Sequence, residues 1–202
     1  MATTPAEEAQ AVQIGRMLPQ ALGSVATQPF AQTYDRRLAN GTVLALTSTT
    51  MYMTAIHLAG GSKVTGITFV SGSTAESGGS HLFYALYRQG DVQTAAGTVA
   101  KLMAQSTDDT GATAFSANTA FRKALATPQI CPYTGIYYLA ICVTGTSMTL
   151  LNIVAASVNS MGNIAGMTPV LAATADTALG ATAPATTVAL VPIVNCLYAY
   201  VD

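Results

Sequence analysis

The stretch TGIYYLAICVTG, residues 134–145, does most to set the fold class of this chain, because its apolar side chains recur at every second position. One side of the run carries Tyr137, Leu139, Ile141 and Val143. Successive side chains of a β-strand point to opposite faces of a sheet, so this alternation predicts a strand. A second run, HLFYALYRQG at residues 81–90, alternates in the same way but is apolar on both sides. That pattern predicts a central strand covered on both faces.

Short runs of this kind recur from Val43 to the last residue. The predicted strands are VLALTS, MYMTAIHL, KVTGITFVSG, HLFYALYRQG, AKLMAQS, AFRKALATPQIC, TGIYYLAICVTG, MTLLNIVAAS and TVALVPIVNCLYAYVD. We expect MTLLNIVAAS to pair with the strand before it, AGGS at 59–62 to form a turn, and SGSTAESGGS at 71–80 to form a flexible loop. Eight or nine strands without a convincing long helix predict an all-β, antiparallel sandwich, and their wide spacing favours a jelly-roll-like arrangement.

The first forty residues differ from the rest of the chain. Residues 6–18, AEEAQAVQIGRML, are compatible with a short helix, because two glutamates stand near its start, where the helix dipole favours negative charge. We expect residues 1–40 to form an extended arm that becomes ordered against a neighbouring subunit, with a dispensable tail as the alternative. Residues 41–202 then form the β-sandwich domain, in which residues 158–186 are a long, weakly patterned connection.

The composition favours an assembly of many copies. Half of the residues are apolar and only 8% are charged, whereas about 25% are charged in a typical soluble domain. Small and hydroxylated residues replace the missing charge, and the net charge is −1. Such a surface repels its own copies only weakly, so we expect a homo-oligomer or a high-copy assembly.

The charge distribution also argues against a nucleic-acid partner. The eight lysines and arginines are scattered, with only two adjacent pairs, and phosphate binding requires a clustered basic face. A secretory signal is not predicted either, because the first twenty residues contain acids and no apolar run of the required length. We therefore expect synthesis in the cytoplasm.

A membrane span is not predicted, although one segment is long enough to be considered. Residues Gly135–Val158 carry no charge and could cross a bilayer by length alone. The middle of that segment reads VTGTSMT, which is rich in turn-forming, hydroxylated and β-branched residues. Two short apolar runs around a turn describe a hairpin better than a membrane helix.

The three cysteines do not form a recognisable metal or redox motif. Cys131, Cys142 and Cys196 stand at unrelated spacings, and no C-x-x-C occurs. We expect them to be small buried apolar side chains.

Two adjacent aspartates, Asp108 and Asp109, are the first candidates for chemistry. Neighbouring side chains on an extended strand diverge, so these carboxylates do not converge without a tight turn. A calcium loop requires spaced oxygen ligands and a later glutamate, and no glutamate follows Glu76 in this chain. Aspartate before Thr-Gly is ordinary turn chemistry. A loop role is the leading interpretation, with a weak ion site and catalysis as alternatives.

Other catalytic arrangements receive no support from the sequence. Serines lie near His81, but no G-x-S-x-G occurs, and both His81 and His57 are interpreted as packed or rim side chains. The glycine-rich 71–80 segment lacks the lysine of a phosphate-binding loop. We therefore predict no catalytic residue, no metal and no cofactor.

Three short motifs, in a fixed order, carry a resemblance to a known family. They are L-x-x-G-x-x-V-x-G-I at Leu58–Ile67, L-x-A-Q-S-x-D at Leu102–Asp108, and T-G-x-Y-Y at Thr134–Tyr138, and a strand that ends near Leu86 and Tyr87 lies between the first two. This order resembles a module of structural proteins of tailed bacteriophages, especially phages of actinobacteria, where such proteins are described as minor tail or virion proteins. The resemblance covers about residues 42–157, and neither the arm nor the C-terminal third is included.

The resemblance implies a non-enzymatic virion protein, an accessory or decoration subunit on the capsid surface or the tail. It implies major capsid or tail subunits as partners, with a homotrimer as the favoured oligomer, and the virion as the location. The alternative is a tail-associated module that binds a glycan of the host surface through the loops at 71–80 and 106–118. A third hypothesis is a hydrolase on the same sandwich that uses Asp108, Asp109 and His81.

Overall fold

A computed structural model of the chain describes residues 30–38, 43–48, 50–89, 99–109, 115–146, 148–154, 188–189 and 195–202. Twelve strands and one 3₁₀ turn make up the regular structure of these residues, which contain no α-helix. The strands are β1 (Ala31–Gln32), β2 (Val43–Leu46), β3 (Met51–Leu58), β4 (Lys63–Val70), β5 (Ser77–Gln89), β6 (Val99–Gln105), β7 (Ala120–Ile130), β8 (Gly135–Thr146), β9 (Met148–Val154), β10 (Val188–Ala189), β11 (Asn195–Leu197) and β12 (Ala199–Val201). The 3₁₀ turn is Arg36–Leu38.

The described strands form three antiparallel sheets. The largest has the order β10-β6-β5-β8-β3, the second β1-β12-β4-β7, and the smallest β11-β9-β2. Within the largest sheet, β3 pairs with β8 from Met51 opposite Cys142 to Leu58 opposite Gly135. The predicted all-β, antiparallel class is therefore confirmed.

The five-stranded sheet packs one face against the four-stranded sheet. We call this the inner face; it carries Tyr52, Ile56, Leu82, Tyr84, Leu86, Tyr137, Leu139 and Ile141. Opposite it, the four-stranded sheet contributes Val64, Ile67 and Phe69 of β4 and Ala199 and Val201 of β12. Alternation along each strand sends these side chains to one side, and their burial supplies the main stabilising free energy of the fold.

The other face of the five-stranded sheet, which we call the outer face, is also shielded from solvent. It carries Met51, Met53, Phe83, Ala85, Tyr87, Tyr138, Ala140 and Cys142, each at most 1% exposed. This finding confirms the prediction, made from the two apolar sides of residues 81–90, that β5 is covered on both faces.

The five-stranded sheet contacts the four-stranded sheet next to β6 and the three-stranded sheet at β3. On one side, Ser106, the residue after β6, forms an isolated antiparallel β-bridge with Leu125 of β7. On the other side, the Thr54 hydroxyl of β3 donates to the carbonyl of Leu197 at 3.2 Å. Leu197 O also accepts a hydrogen bond of 2.9 Å from Thr33, next to β1. We call this second region the Leu197 seam.

Strand β9 corrects one predicted pairing. We expected MTLLNIVAAS to form a hairpin with β8, but β9 pairs with β2 and β11 instead. The partners of β8 are β3 and β5, which occupy both of its edges. An interior strand has no free edge, so the next strand in the chain must join another sheet.

The segment at 71–80 corrects a second prediction. Its last four residues belong to β5, which begins at Ser77 and not at His81, and the register of β5 against β8 shifts between these two residues. The part before β5 is held by hydrogen bonds, among them those from Gly72 N to Thr149 O and from Glu76 N to Phe115 O. The described residues alone contain twelve strands, where eight or nine were expected for the chain.

Strand β7 confirms AFRKALATPQIC as a strand and adds an irregularity. Four residues, Leu125–Pro128, stand opposite the single residue Thr65 of β4. β7 is the outer strand of its sheet, where a proline is tolerated because its missing N–H faces away from the ladder.

The structure bears on the predictions about the cysteines and about membrane helices, and two other predictions fall on residues that it does not describe. The three cysteines are buried and free, as expected, and burial raises the pKa of the Cys142 thiol to about 12. In the ranges that the structure describes, no helix is long and apolar enough to cross a bilayer. The short helix at 6–18 and the connection at 158–186 lie outside the described residues.

Candidate functional site

Asp108 and Asp109 follow β6, where the chain leaves the five-stranded sheet and turns toward β7. The backbone stays extended along β5, because Ser106 N donates to Tyr84 O at 2.8 Å and Asp109 N to Leu82 O at 3.1 Å. The two aspartate side chains reach different partners as a result, as adjacent residues on an extended chain should.

Asp108 fixes the first residues of the paired part of β5. Its Oδ2 lies 2.6 Å from His81 Nδ1, and its Oδ1 accepts a hydrogen bond of 3.0 Å from Leu82 N. The carboxylate is 12% exposed and the imidazole 32% exposed. Asp108 thus caps a backbone N–H and orients one histidine ring.

Asp109 reaches the other sheet. Its Oδ2 lies 2.5 Å from Nζ of Lys123 on β7. The lysine side chain is only 5% exposed, whereas that of Asp109 is 31% exposed. Lysine is almost never this buried without a partner, and Asp109 supplies the partner.

Glu76, just before β5, is a third carboxylate in this region. It is buried at 6% exposure, and a Cβ on Gly79 would overlap its Oε1, so glycine is needed there to admit the side chain. Burial raises the pKa of the Glu76 carboxyl; a hydrogen bond from the backbone of Phe115 opposes the rise, and the charge of Asp109 adds to it.

Apolar side chains pack next to these charged groups. Tyr84 is fully buried, and burial, followed by the charges of Asp109 and Glu76, raises the pKa of its hydroxyl well above the ordinary value. The Tyr84 ring meets Phe69 edge to face, with centroids 5.0 Å apart. Phe115 is buried beside it and packs against Phe121 at 4.8 Å. Asp109 and Lys123 also border an open pocket of about 220 Å³, which is lined as well by Thr107, Phe121, Arg122 and Ala124.

We define these side chains, Glu76, His81, Asp108, Asp109 and Lys123, as the β5–β7 cluster. Among the residues that the structure describes, no three His, Cys, Asp or Glu side chains converge in a way that could hold a metal ion. Within the same described residues, neither histidine is hydrogen-bonded to a serine hydroxyl; Ser80 instead donates to Thr144 O at 3.5 Å. The second histidine, His57, lies exposed on β3 opposite Ile136.

Sequence reasoning singled out His81, Asp108 and Asp109 but missed Glu76 and Lys123. A signal for the lysine was present: in AFRKAL, Lys123 lies at strand spacing between Phe121 and Leu125, so it shares their face. For Glu76, the only sequence signal was the presence of glycines shortly after it, which leave room for its side chain to be buried.

One residue from each sequence motif, Gly61, Ser106 and Thr134, makes a hydrogen bond that holds the fold. Gly61 adopts a φ of +83°, which favours glycine, and its N–H donates to Cys131 O at 2.8 Å. Thr134 Oγ1 accepts from Gly60 N at 2.8 Å, so two turns at one end of the molecule are joined. Ser106 Oγ accepts from Tyr84 N at 3.0 Å.

Comparison with known proteins adds no assignment. No protein-family model matches this sequence, and no curated protein is significantly similar to it.

Proposed function

We propose that this chain is a non-enzymatic structural protein of a tailed-bacteriophage virion, an accessory subunit of the capsid surface or the tail. This proposal rests on one observation, which is what the candidate catalytic side chains bind. His81, Asp108 and Asp109 each bind a neighbouring strand or its side chain, which is what a scaffold requires. We prefer a role on the capsid because an N-terminal arm, residues 1–40, is suited to docking on a neighbouring subunit.

The architecture is consistent with a jelly-roll-like sandwich that carries an N-terminal arm at residues 1–40. The end of that segment adds a short strand to its own chain, because Phe30 N and Thr33 N donate to carbonyls of β12. An arm attached at a sheet edge has a firm base from which to reach a neighbouring subunit.

One end of the molecule offers an apolar surface for such a neighbour. The β7–β8 connection exposes Ile130 at 62%, Ile136 at 38% and Tyr133 at 36%. We call this the β7–β8 tip. Clustered exposed apolar side chains mark interaction sites in soluble proteins, and the low charge of the chain removes most of the repulsion between copies.

Light scattering coupled to size-exclusion chromatography tests the assembly. We expect a trimer for the full chain, and dissociation when Ile130→Lys and Ile136→Lys are combined. Val43→Lys is the matched control, because Val43 is as exposed as Ile136 but lies outside the tip. A monomer that also fails to bind purified capsid shells and tails would contradict the proposal.

The alternative function, recognition of a host-surface glycan, has one observation in its favour. The partly exposed Tyr133 ring stacks on Tyr137 with centroids 5.2 Å apart and an interplanar angle of 22°. A rigid, exposed aromatic ring is a common platform for sugars. Binding on a glycan array that is lost in Tyr133→Ala, with the oligomer unchanged, would favour this function over the first.

A further inference from the structure

The outer face of the five-stranded sheet is buried within a single chain. Met53, Phe83, Tyr87 and Tyr138 lie on it, and each is fully buried. Among the residues that the structure describes, the apolar cluster on this face contains only side chains of β3, β5, β6 and β8, which all belong to the sheet itself. Large side chains on a sheet face stay exposed unless a second layer packs on them. Another part of this chain must supply that layer.

The chain between β9 and β10, residues 155–187, starts and ends on opposite sides of this sheet. Val154 ends β9 in the three-stranded sheet, which contacts β3 at the Leu197 seam. Val188 begins β10, which pairs with β6 at the opposite edge. Residues 155–187 therefore have to pass from the β3 side of the sheet to its β6 side.

The outer face is the route that the fold leaves open for this passage. The inner face is filled by the four-stranded sheet, through side chains of β4 and β12. Neighbouring strands lie about 4.8 Å apart, so the four spacings from β3 to β10 measure about 19 Å. The 33 residues of this segment reach more than about 100 Å when extended, so their length suffices both to cross the face and to cover it.

The composition of residues 155–187 also suits a face without water. Asp176 is the only charged residue among them. Residues 1–29, the other long part outside the described residues, contain three charged side chains and enter the fold at β1 of the four-stranded sheet. A charge placed on an apolar face loses its hydration without gaining a partner, so residues 155–187 are the better occupant.

We propose that the outer face is a docking surface for residues 155–187 of the same chain. The segment leaves β9, covers the apolar side chains of β3, β8 and β5, and rejoins the sheet as β10. The five-stranded sheet is then the middle one of three layers. This inference does not depend on the proposed function, because the face and its occupant belong to one chain.

Cys142 reports whether the outer face is covered. It is buried on that face, whereas Cys131 belongs to the inner core and Cys196 contacts Thr54 beside the Leu197 seam. Burial raises the pKa of the Cys142 thiol to about 12, and the thiolate is the form that reacts with alkylating reagents. Loss of the cover should therefore make Cys142 reactive and leave the other two cysteines protected.

The first test removes the segment after the protein has folded. Sites for a sequence-specific protease are inserted after Ser157 and after Ala185 of the full chain, and the cut protein is separated from the freed peptide by size exclusion. Iodoacetamide labelling, located by mass spectrometry, should then modify Cys142 more than about ten times faster than in the uncut protein. Adding the synthetic peptide 158–185 should restore the protection.

Removal of residues 1–29 through one such site after Pro29 is the matched control. We expect Cys142 to stay protected in that protein. Protection of Cys142 after loss of the 158–185 peptide would overturn the proposal, and so would its labelling after loss of residues 1–29.

A photo-cross-link in the uncut chain tests the same contact without removing any residue. Phe83, on the outer face, is replaced by p-benzoylphenylalanine, and the protein is irradiated and mapped by mass spectrometry. We expect links within one chain to residues 155–187. The same replacement at the exposed Ile130 of β7 is the control and should give no link to that segment. Links from position 83 to residues 1–29, or to a second chain, would contradict the proposal.

Discussion

The carboxylate of Asp202 is almost completely buried, and both of its oxygens accept hydrogen bonds. Its side chain is 1% exposed, and Arg122 donates to both carboxylate oxygens, from Nε at 2.9 Å and from Nη2 at 2.6 Å. Thr65 Oγ1 donates to Oδ2 at 2.8 Å. A Cβ on Gly66 would meet the guanidinium at 2.6 Å, so this glycine makes room for the pair.

Replacing Asp202 should therefore destabilise the fold. We expect Asp202→Asn to lower the free energy of unfolding by about 2 kcal/mol, because charged hydrogen bonds are lost while Arg122 keeps part of its exposure to water. Urea denaturation measures the change. Asp35→Asn is the control, since its ion pair with Arg37 is exposed and should contribute nothing measurable. Equal losses in both variants would contradict this account.

Glu76 should give the fold a dependence on pH of predictable sign. Its pKa in the folded state lies above the ordinary value of 4.5, because the carboxyl is buried. As the pH rises through 4.5, the unfolded chain releases this proton first, so the contribution to stability falls until the pH passes the folded pKa.

Comparing the wild type with one variant isolates this contribution. Glu76→Gln removes the titrating group and keeps a side chain of the same size. We expect Glu76→Gln to gain stability relative to the wild type as the pH rises from about 4 to about 7. Urea denaturation at several pH values gives the difference, and a difference that does not change with pH would contradict the prediction.

At the scale of the element, strand identity was predictable and strand partnership was not. The bounds of β3, Met51–Leu58, coincide with the run MYMTAIHL, because alternation is a local property of the chain. The partner of β9 depends on which edges remain free after β3 and β5 have paired with β8. Ser77–Ser80 were assigned to a loop because glycine and serine lack strand propensity, yet β8 supplies a neighbour that overrides it.

The β5–β7 cluster could be predicted only in part for the same reason. Asp108 and Asp109 stand out in the sequence, and their divergence follows from strand geometry. Glu76 and Lys123 are separated by 47 positions, and each interacts with Asp109 only when β5, β6 and β7 are in place. Local spacing therefore contains no information about these two interactions.

The Leu197 seam joins β1, β3 and β11 through two hydroxyls that share one acceptor. Thr33 and Thr54 both donate to Leu197 O, at 2.9 Å and 3.2 Å. We expect Thr33→Val and Thr54→Val each to lower the free energy of unfolding by about 1 kcal/mol. The double variant should lose more than the sum, because the carbonyl then lacks both donors. A double-mutant cycle, with the free energies of unfolding measured by urea denaturation, tests this prediction. Strict additivity of the two losses would show that the two hydrogen bonds are independent.

For the molecule as a whole, β12 is the strand that completes the four-stranded sheet. It lies between β1 and β4, and Ala199 and Val201 are fully buried in the inner core. We expect a chain that ends at Tyr198 to lose cooperative unfolding altogether, a far larger effect than that of Asp202→Asn, which keeps the strand. Thermal denaturation followed by circular dichroism checks this, and a sharp transition in the shortened chain would contradict it.

The position of β12 also determines when the protein can mature. A ribosome makes β12 after all the other described strands, and 137 positions separate Thr65 from its partner Asp202. Until that last segment emerges, β4 has an open edge, and the nascent chain cannot finish this sheet. Completion of this sheet must therefore wait until β12 has left the ribosome, so a copy terminated before residue 199 lacks its closing strand and is a substrate for proteolysis.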